Sequence, residues 1–78
     1  MSIEGIVYER QESVLADVEV TESESYKVVH VIRDGEIVIS FPLAKTVDIN
    51  EIALRTGNVI NQTGLVANPV RVELSETV

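Results

Sequence analysis

The sequence has no cysteine, no tryptophan and a single histidine, with only four glycines and two prolines in 78 residues. Without cysteine, neither disulfides nor thiolate metal sites can brace it. Only Tyr8, Tyr26 and Phe41 are aromatic, so the core must be aliphatic. No stretch approaches the roughly 18 apolar residues of a membrane-spanning helix. The opening residues MSIEGIVYER have neither the basic start nor the apolar run of a signal peptide. These absences set the expectation of a protein of the cytoplasm, or one within a viral particle, not secreted by a signal peptide and without membrane contact.

Basic residues are also scarce. Six Lys and Arg stand against 13 Asp and Glu, a formal net charge of −7. The excess is concentrated. Residues 1–24 hold Glu4, Glu9, Glu12, Asp17, Glu19, Glu22 and Glu24 with Arg10 as their one base, while the rest of the chain is nearly neutral. Such a balance repels phosphate backbones and argues against direct nucleic-acid binding.

What is plentiful is Val and Ile, 22 residues together against five Leu and four Ala. β-branched side chains favour the pleated surface of a sheet over a helix. The clearest pattern is YKVVHVIRDGEIVISFPL, residues 26–43, in which Asp34-Gly35 separates two apolar runs. That dipeptide suits a two-residue hairpin turn, which needs positive φ at both positions. Regular pairing outward from it sets Arg33 against Glu36, Val31 against Val38, His30 against Ile39 and Val28 against Phe41, with the ladder ending or bulging at Pro42. Both hairpin faces are then apolar. One carries Tyr26, Val28, His30, Ile32, Ile37, Ile39, Phe41 and Leu43, and the other carries Val29, Val31 and Val38.

Residues 13–22 alternate as a strand, with Val14, Ala16, Val18 and Val20 on one side and Leu15, Asp17, Glu19 and Thr21 on the other. Residues 2–9 form another, in which Gly5 marks a bulge or a close backbone approach. Past Pro42 the period changes. Asp48 followed by Glu51 reads as a helix start, Ile49, Ile52, Ala53 and Thr56 share a stripe, and Gly57 stands where a helix stops. Asn58 to Asn61 and Leu65 to Ala67 are short strand candidates, Asn68-Pro69 a turn, and Val70, Val72 and Leu74 alternate in a last strand. The expected fold is mainly β: a small antiparallel barrel or sandwich of about five to six strands with one short helix, about residues 49–56. A single domain spans 1–78, with 75–78 frayed.

Chemistry finds little footing. There is no Gly-rich phosphate loop and no nucleophile elbow for a serine triad. Carboxylates near Glu22 and Glu24, or Asp48, Asn50 and Glu51, read as a loop and a helix cap rather than a calcium site. Asn61-Gln62-Thr63 matches a glycosylation sequon by chance. His30 lacks any orienting carboxylate or nucleophile in its expected surroundings and reads as a packed, hydrogen-bonded imidazole. No catalytic residue, metal ligand or cofactor is assigned, and the protein is read as not an enzyme. The segment ISFPLAKTVDINEIAL resembles the strand-to-helix passage of swapped-hairpin transcription factors, but those bind DNA through basic faces, and the charge here is of opposite sign.

A two-sided apolar hairpin needs cover on both sides, and a staple-free chain of this length gains from oligomerisation. The reading is therefore a non-catalytic structural or assembly protein working by protein–protein contact, such as a small subunit of a viral particle or other homo-oligomer. Val29, Val31 and Val38 are its candidate interface. The alternative is an acidic binding or inhibitory module that docks a basic partner through residues 1–24, imitating nucleic-acid charge, with Asp17, Glu19, Glu22 and Glu24 as the partner face.

Overall fold

The computed structural model describes residues 2–10, 13–64 and 70–77. Five strands and one helix follow in the order β1 Ser2–Tyr8, β2 Val14–Glu22, β3 Tyr26–Arg33, β4 Glu36–Ala44, α1 Ile49–Thr63 and β5 Arg71–Thr77. The strands form one sheet in the order β4-β3-β2-β1-β5, and every neighbouring pair is antiparallel. Strands β1 to β4 are a meander. The helix then carries the chain back across the sheet, so that β5 adds beside β1. The fold is mainly β as the composition implies, but the sheet stays open. The helix, and not a second sheet or a closing strand, supplies the other layer.

Alternation assigns the faces. Ile3 and Val7 of β1, Ala16, Val18 and Val20 of β2, and Val29 and Val31 of β3 are buried with Ile52 and Ile60 of α1. Ile39, Phe41 and Leu43 of β4 and Val72 and Leu74 of β5 pack against that core at its margins. The register that aligns them is Ile3 with Val20, Val20 with Val29, and Val29 with Phe41. Gly5 faces Leu74, and a Cβ there would run into the Glu73 carbonyl oxygen and the Leu74 side chain. The glycine thus marks a close backbone approach, and the bulge between β1 and β2 lies elsewhere, where Val7 pairs with Ala16 but Tyr8 pairs with Val14.

The hairpin corrects the regular register. Asp34 and Gly35 do take positive φ, 54° and 79°, and Arg33 faces Glu36. The pairing then slips by one residue between Val31 and Ile32, so Val31 meets Ile39, His30 meets Ser40 and Val28 meets Pro42. Val38 is the extra residue of a β-bulge, and everything beyond it changes face. The gain is plain: Ile39, Phe41 and Leu43 join Val29 and Val31 on the helix side. The ladder does not end at Pro42 but runs on to Ala44 opposite Tyr26. Opposite Val28 the proline nitrogen faces away from β3, where no donor is needed.

Two further expectations are overturned at the C-terminal half. The helix runs to Thr63, through Gly57 and through the strand candidate Asn58 to Asn61. Ile52, Thr56 and Ile60 recur at the helical spacing and are fully buried, which outweighs the cost of an internal glycine. Gly57 lies against Val70 and Val72, and the stop falls at Gly64 with φ 74°. At the start, Asp48 Oδ1 accepts from Glu51 N at 2.8 Å, the expected cap, while Glu51 itself pairs with Arg55 at 2.8 Å. Strand β5 reaches Thr77, with Ser75 opposite Glu4 and Glu76 opposite Ile3, so 75–77 are paired and not frayed. The strand candidate Leu65 to Ala67, the Asn68-Pro69 turn and Val78 lie outside the described residues.

Candidate functional site

The helix covers one face of the sheet and leaves the other open. Alternation places Glu4 and Ile6 of β1, Asp17, Glu19 and Thr21 of β2, Val28, His30 and Ile32 of β3, Ser40 of β4, and Glu73 and Ser75 of β5 on that open face. Three arrangements on it matter.

The first is polar and crosses three strands. His30 Nδ1 lies 2.8 Å from Ser40 Oγ, and its Nε2 lies 3.2 Å from Thr21 Oγ1. A neutral imidazole donates through one nitrogen and accepts through the other, and the two hydroxyls can rotate to suit either tautomer. The bulge at Val38 creates this alignment, because the unbulged register would set Ile39 opposite His30. So the histidine is not packed in an apolar layer. It is half-buried on the open face and links β2, β3 and β4 through hydroxyls. A serine beside a histidine is the beginning of a nucleophile, but no carboxylate orients the ring here, since both nitrogens are already taken.

At the opposite corner, the Arg71 guanidinium stacks over the Tyr8 ring, 4.1 Å from its centroid, and also pairs with Glu73. Charge there is matched locally.

Between these two lies a region whose charge no ion pair among the described residues matches. Glu4, Asp17 and Glu19 surround half-buried Ile6 and Ile32, with Ser75 at the rim, in a shallow hollow of about 430 Å³. Glu4 stands directly opposite Glu19, a like-charge cross-strand pair, and Asp17 sits between Ile6 and Ile32. Like charges at such positions are unfavourable. The ion pairs of the described residues are Lys45 with Glu22, Arg55 with Glu51 and Arg71 with Glu73, none of which reaches this hollow. Among the described residues, no group of three or more His, Asp and Glu is placed to hold a metal ion.

The residues singled out from sequence are therefore divided. Val29 and Val31 are fully buried, 0 % exposed, between sheet and helix, and offer no interface. Val38 alone of the three is open, at 43 %, because it is the bulge residue. Of the acidic set, Asp17 and Glu19 share the open face. Glu22 points to the helix side and pairs with Lys45 at 3.7 Å, and Glu24 sits in the β2–β3 turn, where its carbonyl accepts from Lys45 at 3.3 Å. Glu4 and Ile6 went unassigned by sequence reasoning. Their alternation with Ile3, Gly5 and Val7 placed them on one face, and the strand spacing suggests a meander with β1 antiparallel beside β2, but nothing local sets the register that puts Glu4 opposite Glu19.

No family model, curated protein or solved structure matches this chain.

Proposed function

We propose that this protein is a non-catalytic binding and assembly module, and that the open face of its sheet docks a basic polypeptide partner. The observation that carries the reading is the hollow of Glu4, Asp17 and Glu19 around Ile6 and Ile32, without a counter-charge among the described residues. An arginine or lysine of the partner has the matching form: an aliphatic stem to lie on the isoleucines and a cationic head to meet the carboxylates. The same charge disfavours a second copy placed face to face, because acid would meet acid. Burial of Val29 and Val31 also removes the surface on which self-assembly through the hairpin was expected to rest.

The test uses an arginine-rich peptide and a neutral peptide of equal length, followed by amide chemical shifts at low and high salt. The expected result is shifts centred on Glu4, Ile6, Asp17, Glu19 and Ile32, weakened by salt, absent with the neutral peptide and lost in the E4Q/D17N/E19Q variant. Shifts spread evenly over the acids, Glu51 and Glu76 included, would mean that the charge serves solubility alone.

A further inference from the structure

The sheet has two outer edges, and they are not alike. On β4 the edge carries Pro42, whose outward nitrogen has no hydrogen to offer, and the Val38 bulge, which twists the strand. Both are devices that block pairing with another strand. On β5 neither is present. It pairs with β1 over seven consecutive residues, Tyr8 with Arg71 through Ser2 with Thr77, with no bulge and no proline. Its outer side has no neighbour among the described residues.

At this end of the sheet, a groove of about 540 Å³ separates Ile49, Asn50 and Ala53 of α1 from Val72 and Leu74 of β5 and from Gly5 and Ile6 of β1. Gly57 of the same helix rests on Val70 and Val72.

We infer that the occupant is the β5 strand of a second copy, paired antiparallel about a two-fold axis through Val72. In this register Arg71 faces the partner's Glu73, Glu73 faces the partner's Arg71, Val72 faces the partner's Val72, and Val70 faces the partner's Leu74. Opposite charges thus meet on the open face, and aliphatic side chains meet on the helix face. Shifting the axis to Glu73 sets that acid against its own copy. Moving it to Leu74 sets Val72 against the partner's Glu76. The first register alone among these three satisfies both faces. The product is a continuous ten-stranded sheet with both helices on the same side. The acidic hollow remains accessible on the other side, so this inference stands apart from the docking of a basic partner.

The experiment is light scattering after size exclusion across a hundredfold concentration range, with two variants. Arg71→Glu leaves two acids on the open face of each β5, and Glu73→Arg leaves two bases. The wild type is expected to reach twice the chain mass. Each variant alone is expected to stay at the single-chain mass, and their equimolar mixture to regain the doubled mass. Recovery in the mixture reports pairing between chains, since neither variant holds an Arg71–Glu73 type pair within itself. A wild type that stays at the single-chain mass overturns the inference, as do variants that dimerise alone or a mixture that does not. Should either variant fail to fold, amide exchange on the wild type decides the matter. The β5 amides not bonded to β1 should gain protection as concentration rises, and exchange independent of concentration overturns the inference.

Discussion

Single residues decide more here than their size suggests. Gly5 has no tolerance for a side chain, because the space a Cβ would need is filled by the backbone of β5, which cannot yield without breaking the β1–β5 ladder. Gly5→Ala should therefore cost about 1–3 kcal/mol, the range of an overpacked core position. Urea unfolding measures it, and an unchanged midpoint would mean that β5 stands off from β1. Val31 and Val38 would be partners in a regular hairpin but are opposites in the bulged one. Val31→Ala should lose about 2 kcal/mol by the loss of fully buried apolar surface. Val38→Ala should stay within about 0.5 kcal/mol, and equal losses would point to the unbulged register. Gly5 was legible in the sequence only as a bulge or a close backbone approach, and the structure decides for the second. The face of Val29, Val31 and His30 was not, because β3 carries branched aliphatics on both sides. Strand β2 holds the missing information: its Val18 and Val20 face opposes an acidic one, and whichever side of β3 aligns with those valines must be the core.

Among the elements, the Asp34-Gly35 turn was readable because its chemistry is local, whereas the Val38 bulge answers a demand from across the sheet. Ile39, Phe41 and Leu43 must face the helix together with Val29 and Val31, and only a one-residue slip brings the two sets to the same side. Deleting Val38 should therefore leave a regular hairpin in which Val31 still meets Ile39 and Val29 still meets Phe41. The expected outcome is a folded protein with stability changed by no more than about 1 kcal/mol, checked by urea unfolding and by contacts between the Val29 and Phe41 side chains. If the native hairpin were regular, the same deletion would turn the β4 core residues outward and abolish folding. The helix shows a related limit. Its start was plain from Asp48 and Glu51, but Gly57 read as a stop. Burial of Thr56 and Ile60 carries it seven residues further, with the Thr56 hydroxyl donating to the Ile52 carbonyl at 2.7 Å so that no polar group is stranded. That longer helix is also why no barrel closes: it covers the apolar face that closure would otherwise have to bury.

For the whole molecule, the count of charges was visible in the sequence but their placement was not. Of the acids crowded into the first 24 residues, the fold sends Glu4, Asp17 and Glu19 to one hollow and ties Glu22 to Lys45 on the other side. A surface arranged for a basic partner should cost stability in its absence. Glu4→Lys, which sets a base opposite Glu19, should raise stability by a few tenths to about 1 kcal/mol while weakening the arginine-rich peptide. A loss of stability would mean that the Glu4–Glu19 pair is harmless and the docking argument unfounded. One further consequence comes from the pairing of β1 with β5, which lays Ser2 beside Thr77. This seam joins strands about 70 residues apart in sequence, where the others join neighbours, and non-local seams slow folding. Joining residue 77 to residue 2 by a short linker and opening the chain between Asp34 and Gly35 would exchange that seam for the one between β3 and β4. The circular permutant would reach the same sheet by closing a different seam last, with a changed folding rate and unchanged native contacts.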